Sequence, residues 1–324
     1  MKLVSIHSSD EIIKRAVEIA AHGRRKRVAV AAAQNLDVIR AVAQASDEQF
    51  LDATLVGDSS EIDRLARENR IEIGQFEVIH EPDIVAAAHT ASRLAGEGRA
   101  DIIMKGFLPT SALLKVVLDK RYGLAVKDTL SHCAVLDIPG YHKLLNMTDG
   151  GVVVKPDRQQ KFQILQNAVA VCRALGLSPV KVAVSGAYDK PLEKLSHAFS
   201  DMDFVIPEAM DKLKDILIQG PLPFDLATSK SVADPQQSEG TVVGDADIYL
   251  VDSIEECNII AKSLIRFAGA VFAGVIVGAK VPISLVSRTD STHSKKVSLA
   301  LACLVADYCQ NDQSGKGTGD RYGT

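Results

Sequence analysis

No tryptophan occurs in this 324-residue chain, and aromatic residues make up only 5% of it. Base-stacking surfaces rely on such rings, so a nucleic-acid platform is not expected. An excess of either charge is also missing: 37 Lys and Arg stand against 41 Asp and Glu, a formal net charge of −4. The one basic run, Arg24-Arg25-Lys26-Arg27, precedes an apolar strand and reads as a solvated helix-to-strand turn. Nucleic acid is therefore not expected as a partner. Long apolar runs are lacking as well. Phe267 to Ala279 is broken by three glycines and suits a buried strand and its approach, not a bilayer span, so no membrane partner is expected. The opening Met1 to Asp10 has no continuous apolar core of the kind a secretory signal carries. Five cysteines, an odd number with no CxxC pair, predict reduced buried thiols of a cytoplasmic protein in place of a disulfide frame or zinc site. The histidines are equally scattered, and no metal site is legible.

What is present is an ordinary globular composition, 47% hydrophobic and 24% charged, at a length that suits two α/β domains or one large one. Helical and strand patterns alternate with short connections. Strands are expected at Val28–Ala33, Ala53–Val56, Phe76–Ile79 and Asp101–Lys105, with helices at Ile12–Ala20, Leu36–Ala45, Ile62–Asn69, Ile84–Ala95 and Thr110–Leu118. This alternation predicts crossover connections and mainly parallel sheets covered by helices. The middle changes character: Cys133–Ile138 and Gly151–Val154 read as a hairpin-like strand pair. The βα pattern then resumes, with a helix at Lys161–Leu175, strands at Val180–Ser185 and Asp247–Val251, a helix at Ile254–Ala268 and a strand at Val271–Val277. We expect a first α/β domain of residues 1–131 plus 279–309 and a second of 132–278. The Gly-, Ser-, Asp- and Gln-rich residues 310–324 predict a disordered tail.

The densest chemical signal is Val281-Pro-Ile-Ser-Leu-Val-Ser287-Arg288-Thr289-Asp290-Ser291, where an apolar strand ends in polar residues and a helix follows from Lys295 to Tyr308. Ser287 and Arg288 at a strand end, facing the amides of a new helix, suit an anion such as phosphate or the oxyanion of acyl transfer. The bland reading makes Asp290 or Ser291 a helix cap and Arg288 a solvated side chain. Lys105-Gly106-Phe-Leu-Pro109-Thr110 also follows a strand and opens a helix. Gly106 permits close backbone approach and Thr110 can donate to a phosphate, although an ordinary βα turn has the same form. Asn146-Met-Thr148-Asp149-Gly-Gly151 is denser in polar groups than a turn requires, yet Asp-Gly-Gly is itself a turn signal. Gly220-Pro-Leu-Pro-Phe-Asp225 is a stiff loop with one ionisable group, suited to walling a pocket or joining elements. A return of the last strand and helix to the first domain would put Ser287 and Arg288 in a cleft between domains.

In order, several stretches resemble the phosphate acetyl/butyryltransferase family, most closely its butyryltransferase branch. They are Met104-Lys-Gly-Phe-Leu-Pro-Thr-Ser111, Leu145-Asn-Met-Thr-Asp-Gly-Gly-Val-Val-Val-Lys-Pro156, Ile164-Leu-Gln-Asn-Ala-Val169, Gly220-Pro-Leu-Pro-Phe-Asp225, Gly244-Asp-Ala-Asp-Ile-Tyr-Leu-Val251, Gly278-Ala-Lys-Val-Pro282 and Ser287-Arg-Thr-Asp-Ser291. The resemblance runs from about the first strand to Asp307. It implies two α/β/α domains of isocitrate/isopropylmalate dehydrogenase-like fold with a cleft site. It also implies reversible acyl transfer between CoA and phosphate, no metal or permanently bound cofactor, CoA and acyl-CoA as substrates, and a homo-oligomer.

On that resemblance Ser287 and Arg288 are the oxyanion donors. The acetyltransferase branch carries a catalytic aspartate a few residues after its Ser-Arg, and the aligned position here is Ser294. Asp290 is then the first candidate for base or thiol-side partner and His293 the second. Lys105, Gly106, Thr110, Asn146, Thr148, Asp149 and Asp225 are the expected phosphate and CoA contacts. An arginine that the acetyltransferase branch has after the Lys105–Thr110 loop is missing between Ser111 and Lys120. Lys105 is the preferred substitute over Lys115, and Arg266 stands near another cationic position of the family. Two other classes compete. A non-catalytic acyl-CoA or acyl-phosphate sensor would share the fold. A decarboxylating dehydrogenase or kinase would need carboxylate clusters for a divalent metal or a GxxxxGK[ST] loop, and neither is visible.

Overall fold

The computed structural model describes residues 4–187, 205–232, 241–287 and 290–314. Two compact units emerge. One comprises Ser9–Leu130 and Phe272–Asp307; the other comprises Ser131–Val271 with the described residues of Met1–Ser8 and Tyr308–Thr324. The strand at Val271–Val277 falls almost wholly in the first unit, not before the expected boundary at Gly278. The reason is its hydrogen bonding: it turns back antiparallel onto Ile283–Ser284, pairing Val275 with Ser284 and Ile276 with Ile283.

In the first unit, β1 (Lys26–Ala31), β2 (Leu51–Gly57), β3 (Glu77–His80) and β4 (Ile102–Lys105) are joined by α2 (Leu36–Asp47), α3 (Ser59–Glu68) and α4 (Ile84–Gly96). An amphipathic α1 (Ser9–His22) precedes β1, and α5 (Thr110–Val117) follows β4. The crossover helices start where the sequence stops the strands. Asn35 accepts the Val38 amide, Asp58 those of Ser60 and Glu61, and Asp83 those of Val85 and Ala86. Each such cap is worth about 1 kcal/mol and satisfies donors the helix itself leaves open. Strand pairing is parallel for β1 with β2 and β4, and for β2 with β3. The chain therefore winds outward from β1 to β3, and β4 returns to the other side of β1.

The basic run before β1 is not merely solvated. Lys26 is buried and paired with Asp307 at 2.8 Å. Arg24 grips the buried Asp101 at 2.6 and 2.7 Å, with Arg27 adding a third contact. Burial alone would push the Asp101 carboxyl up; the Arg24 and Arg27 guanidinium groups and the Arg27 amide outweigh it and hold it well below the usual carboxylate range. The starts of β1 and β4 are thereby pinned together.

In the second unit, β5 (Ser131–Asp137) and β6 (Leu145–Thr148) form the antiparallel pair, with Val135 opposite Asn146. The expected strand at Gly151–Val154 does not form. Its valines suit a strand, but the Asp149 carboxylate collects the amides of Gly151, Val152 and Val153 at 2.8, 3.0 and 3.1 Å and curls the chain. Next come α6 (Arg158–Ala174), β7 (Val180–Ser185), β8 (Ile216–Leu222), α7 (Phe224–Thr228), β9 (Ile248–Leu250) and α8 (Ile254–Phe267). β6, β9, β7 and β8 lie side by side in parallel. The chain then passes through β10 (Val271–Val277) and β11 (Ile283–Ser284) into α9 (Thr292–Ser314). The tail was expected from residue 310, but the helix continues to Ser314; residues 315–324 lie outside the described residues. Among the described residues, no helix is long and apolar enough to cross a membrane.

Candidate active site

The carboxyl ends of β1, β4 and β11 stand next to one another. Ala31 is in register with Lys105, and Ile103 and Met104 with Ile283 and Ser284. The chain leaves this edge three times, each time into a helix: α2, α5 and α9. In parallel α/β sheets such an edge, flanked by helix N-termini and next to the strand where winding reverses, is where anionic ligands bind.

Lys105 ends β4 with a buried side chain, 6% exposed as a residue, whose Nζ lies 3.3 Å from the Leu108 oxygen and 3.4 Å from that of Gly106. It closes the turn from within. Gly106 is required for a reason other than a ligand: a Cβ there would stand 2.1 Å from the Ala32 oxygen and 2.6 Å from that of Ala31. Its amide continues the ladder to Ala31 at 2.9 Å. Thr110 is half-exposed as the first residue of α5, and Pro109 at the cap position brings no side-chain acceptor to that first turn. Phe107 lies exposed between them, and Lys115 is exposed on α5.

Ser287 is exposed beyond β11. Its amide donates to the Asp290 carboxylate at 2.6 Å, and the Asp290 amide returns to the Ser287 oxygen at 3.3 Å. Arg288 and Thr289 lie outside the described residues. Ser291 is the residue that caps α9, its hydroxyl accepting the Ser294 amide at 3.0 Å. Asp290 is thus a turn former and not the cap. Ser294, where the acetyltransferase branch has its aspartate, is buried, with its hydroxyl 3.2 Å from that of Ser291. His293 is exposed.

The remaining expected contacts belong to the second unit. Asn146 and Thr148 are buried on β6; Asn146 donates to the Ala168 oxygen at 3.4 Å and Thr148 to that of His132 at 3.1 Å. Asp149 follows, 3% exposed and turned onto its three amide donors. Burial pushes its carboxyl up while those amides pull it down, with the net shift upward. Gly150 and Gly151 are glycines because Cys257 Sγ and the His132 ring pack against them; a Cβ would meet these at 2.8 and 3.2 Å. Asp149 thus builds the turn, while Asn146 ties β6 to α6 and Thr148 ties it to β5. Asp225 is exposed at the start of α7, taking the Leu226 amide at 2.9 Å. Arg266 is exposed in the last turn of α8.

Two further features are set by long-range contacts. The Gly244-Asp-Ala-Asp247 stretch is an ion network: buried Lys143 reaches Asp245 and Asp247 at 2.7 Å each, and His142 and Lys181 also hold Asp245. Gly244 must lack a side chain, having a positive φ of 66° with the Lys230 backbone 2.4 Å from any Cβ. The other feature is Lys295, buried behind the Ser287–Asp290 turn. It lies three and four residues ahead of buried Ser298 and Leu299, so helical periodicity already marked its face as internal.

Residues 80–303 match the family model described as phosphate acetyl/butaryl transferase. The chain is 38% identical over 286 residues to the probable phosphate butyryltransferase of Bacillus subtilis (strain 168), covering 88% of this chain and 95% of that one. It superposes with the branched-chain phosphotransacylase of Enterococcus faecalis V583 at a TM-score of 0.77 and 31% identity, covering 87% of this chain and 99% of that one. A putative 4-hydroxythreonine-4-phosphate dehydrogenase of Salmonella typhimurium shares the fold alone, with a TM-score of 0.58, 14% identity and coverage of 87% and 99%. By this breadth of similarity, the chain belongs to the phosphate acetyl/butyryl transferase family and is a phosphate acyltransferase.

Proposed function

We propose that this protein moves a short-chain, butyryl-like acyl group reversibly between CoA and inorganic phosphate, by direct transfer in a ternary complex. A phosphate oxygen attacks the thioester carbonyl carbon, the C–S bond breaks, and CoA leaves as a thiolate that takes up a proton. The observation that carries this reading is the edge formed by the paired ends of β4 and β11, which lead into Lys105 on one strand and into the Ser287–Asp290 turn three residues past Ser284 on the other. Ser287 and Arg288 are assigned to the oxyanion. Lys105 and Thr110, with Gly106 between the strands, are assigned to phosphate or CoA. For the thiol proton we assign Asp290 ahead of His293, because Asp290 shares a turn with Ser287. Asp225 is exposed among the second unit's candidates, whereas Asp149 would act through the turn it holds, and Asn146 and Thr148 through the strand β6 they fix against α6 and β5.

The resemblance also supports a cytoplasmic homo-oligomer, and four of the five cysteine side chains are buried, as thiols kept away from oxidation would be. Following thiol release from butyryl-CoA with and without phosphate tests the reaction. Phosphate-dependent release with matching formation of butyryl phosphate is expected, and binding of acyl-CoA with no turnover would mean a sensor instead.

A further inference from the structure

Lys295 occupies the first turn of α9 and is only 2% exposed. An ammonium group is not removed from water without partners. Here its Nζ donates to the main-chain oxygen of Asp290 and stands 3.9 Å from the Asp37 carboxylate, in the first turn of α2. Asp290 in turn holds the Ser287 amide. The contacts run unbroken from α2 through Lys295 and Asp290 to Ser287, and every one lies within one unit.

We propose that Lys295 is a positioning residue for phosphate handling: it ties the Asp290 backbone to α2 and so fixes the Ser287 turn at the strand edge. This rests on the acyltransferase reading above. Donors stabilise a developing oxyanion only when they are held where the charge will appear, and a displacement near 1 Å can cost on the order of 100-fold in rate. A side chain that merely filled space at this position could be replaced by methionine, which matches its length and lacks its charge. An anchor for the Asp290 oxygen could not.

Lys295→Met, Lys295→Arg and Asp37→Asn in the full chain test this. The readouts are kcat, KM for phosphate and for acyl-CoA, Tm, and hydrogen exchange of a peptide covering Ser287 to Ser291. For Lys295→Met we expect kcat/KM for phosphate to fall on the order of 10- to 100-fold, with KM for acyl-CoA nearly unchanged. Exchange should quicken in the Ser287 peptide and not in β1 or β4, and Lys295→Arg should recover part of the loss. Phosphate kinetics and exchange equal to the parent protein, with or without a lower Tm, would overturn the proposal. If Lys295→Met does not fold, Asp37→Asn decides, since its side chain is 43% exposed and spares the core. A smaller change in the same sense is expected of it, and none would overturn the proposal. A parent protein without turnover would sink the acyltransferase reading, and the exchange comparison would still decide the anchoring.

Discussion

The Asp290 carboxylate accepts the Ser287 amide at 2.6 Å, so the residue assigned to the thiol proton also shapes the turn bearing the assigned oxyanion donor. Removing Asp290 outright would disturb both roles at once. Asp290→Asn separates them, because the amide oxygen can still accept from Ser287 while the acid–base function is gone. We expect Asp290→Asn to lower kcat by on the order of 100-fold, within the range general base catalysis supplies, with a folded protein by circular dichroism. Asp290→Ala should be worse. An Asn variant with parental kcat across the pH range would move the proton role elsewhere, with His293 next in line.

Arg288 lies in the segment outside the described residues, and its assignment comes from its place between Ser287 and Asp290 in the family-like motif. Loss of one oxyanion donor typically costs about 100- to 1000-fold in rate. Arg288→Ala is expected to lose turnover on that scale and to keep the parent Tm. Near-normal kcat/KM in the folded variant would remove Arg288 from the mechanism.

Similarity to a butyryltransferase and to a branched-chain phosphotransacylase leads us to expect butyryl-CoA, or another short straight or branched acyl-CoA, to outperform acetyl-CoA. One or two methylenes in an apolar pocket are worth roughly 1–3 kcal/mol, so the substrates should overlap. The decisive comparison is kcat/KM across acetyl-, propionyl-, butyryl-, isobutyryl- and longer acyl-CoAs. A higher value for acetyl-CoA than for every C3–C5 substrate would refute the expectation.

His132 supplies a pH test of the second unit. Its ring is buried against Gly151, and burial pushes its pKa down to about 4. The unfolded chain, with an ordinary histidine, takes up the proton first as pH falls. Stability contributed by keeping the ring neutral is therefore complete above about pH 6.5 and is lost between about 6.5 and 4. The full loss is on the order of 3 kcal/mol for this one group. Asp149, pushed up by burial, works in the opposite sense, so parent and His132→Gln are compared at each pH. Urea midpoints should fall less steeply for the variant from pH 6.5 to 4. Parallel curves would show that His132 is not the source.

Much of the α/β order was legible because strand ends and helix caps are written locally. Asn35, Asp58 and Ser253 each stand just past an apolar run, Asp83 past a Glu-Pro turn, and each caps a helix. The miss at Gly151–Val154 has a long-range cause. Three valines have strand character, but one upstream carboxylate claims the amides a strand would share with its neighbour. Likewise Arg24 and Lys26 resemble surface charges until Asp101 and Asp307, far along the chain, come to meet them. In the site, Ser287 and Lys105 could be picked out because strand-end position is a local property. For Lys295 helical periodicity marks only the internal face; its partners Asp37 and Asp290 lie on different elements, so what it holds was not legible locally.

Acyl transfer is expected to be direct. A covalent acyl-enzyme would need an activated nucleophile, and the chain has no G-x-S-x-G elbow and no recognisable Cys-His pairing in sequence. Ser287 is exposed, but the group next to its backbone is a carboxylate engaged with its amide, and its neighbour in sequence is an arginine that cannot accept a proton. Cys133, Cys172, Cys257 and Cys303 are buried. Burial raises the thiol pKa of Cys172, Cys257 and Cys303 further, which disfavours the thiolate that would attack. Direct attack by phosphate on the bound thioester then predicts intersecting double-reciprocal lines when acyl-CoA and phosphate are varied together, and an active Cys133→Ala protein. Parallel lines, with an acyl group found on Ser287 or Cys133 by mass spectrometry after incubation with acyl-CoA alone, would establish a two-step route instead.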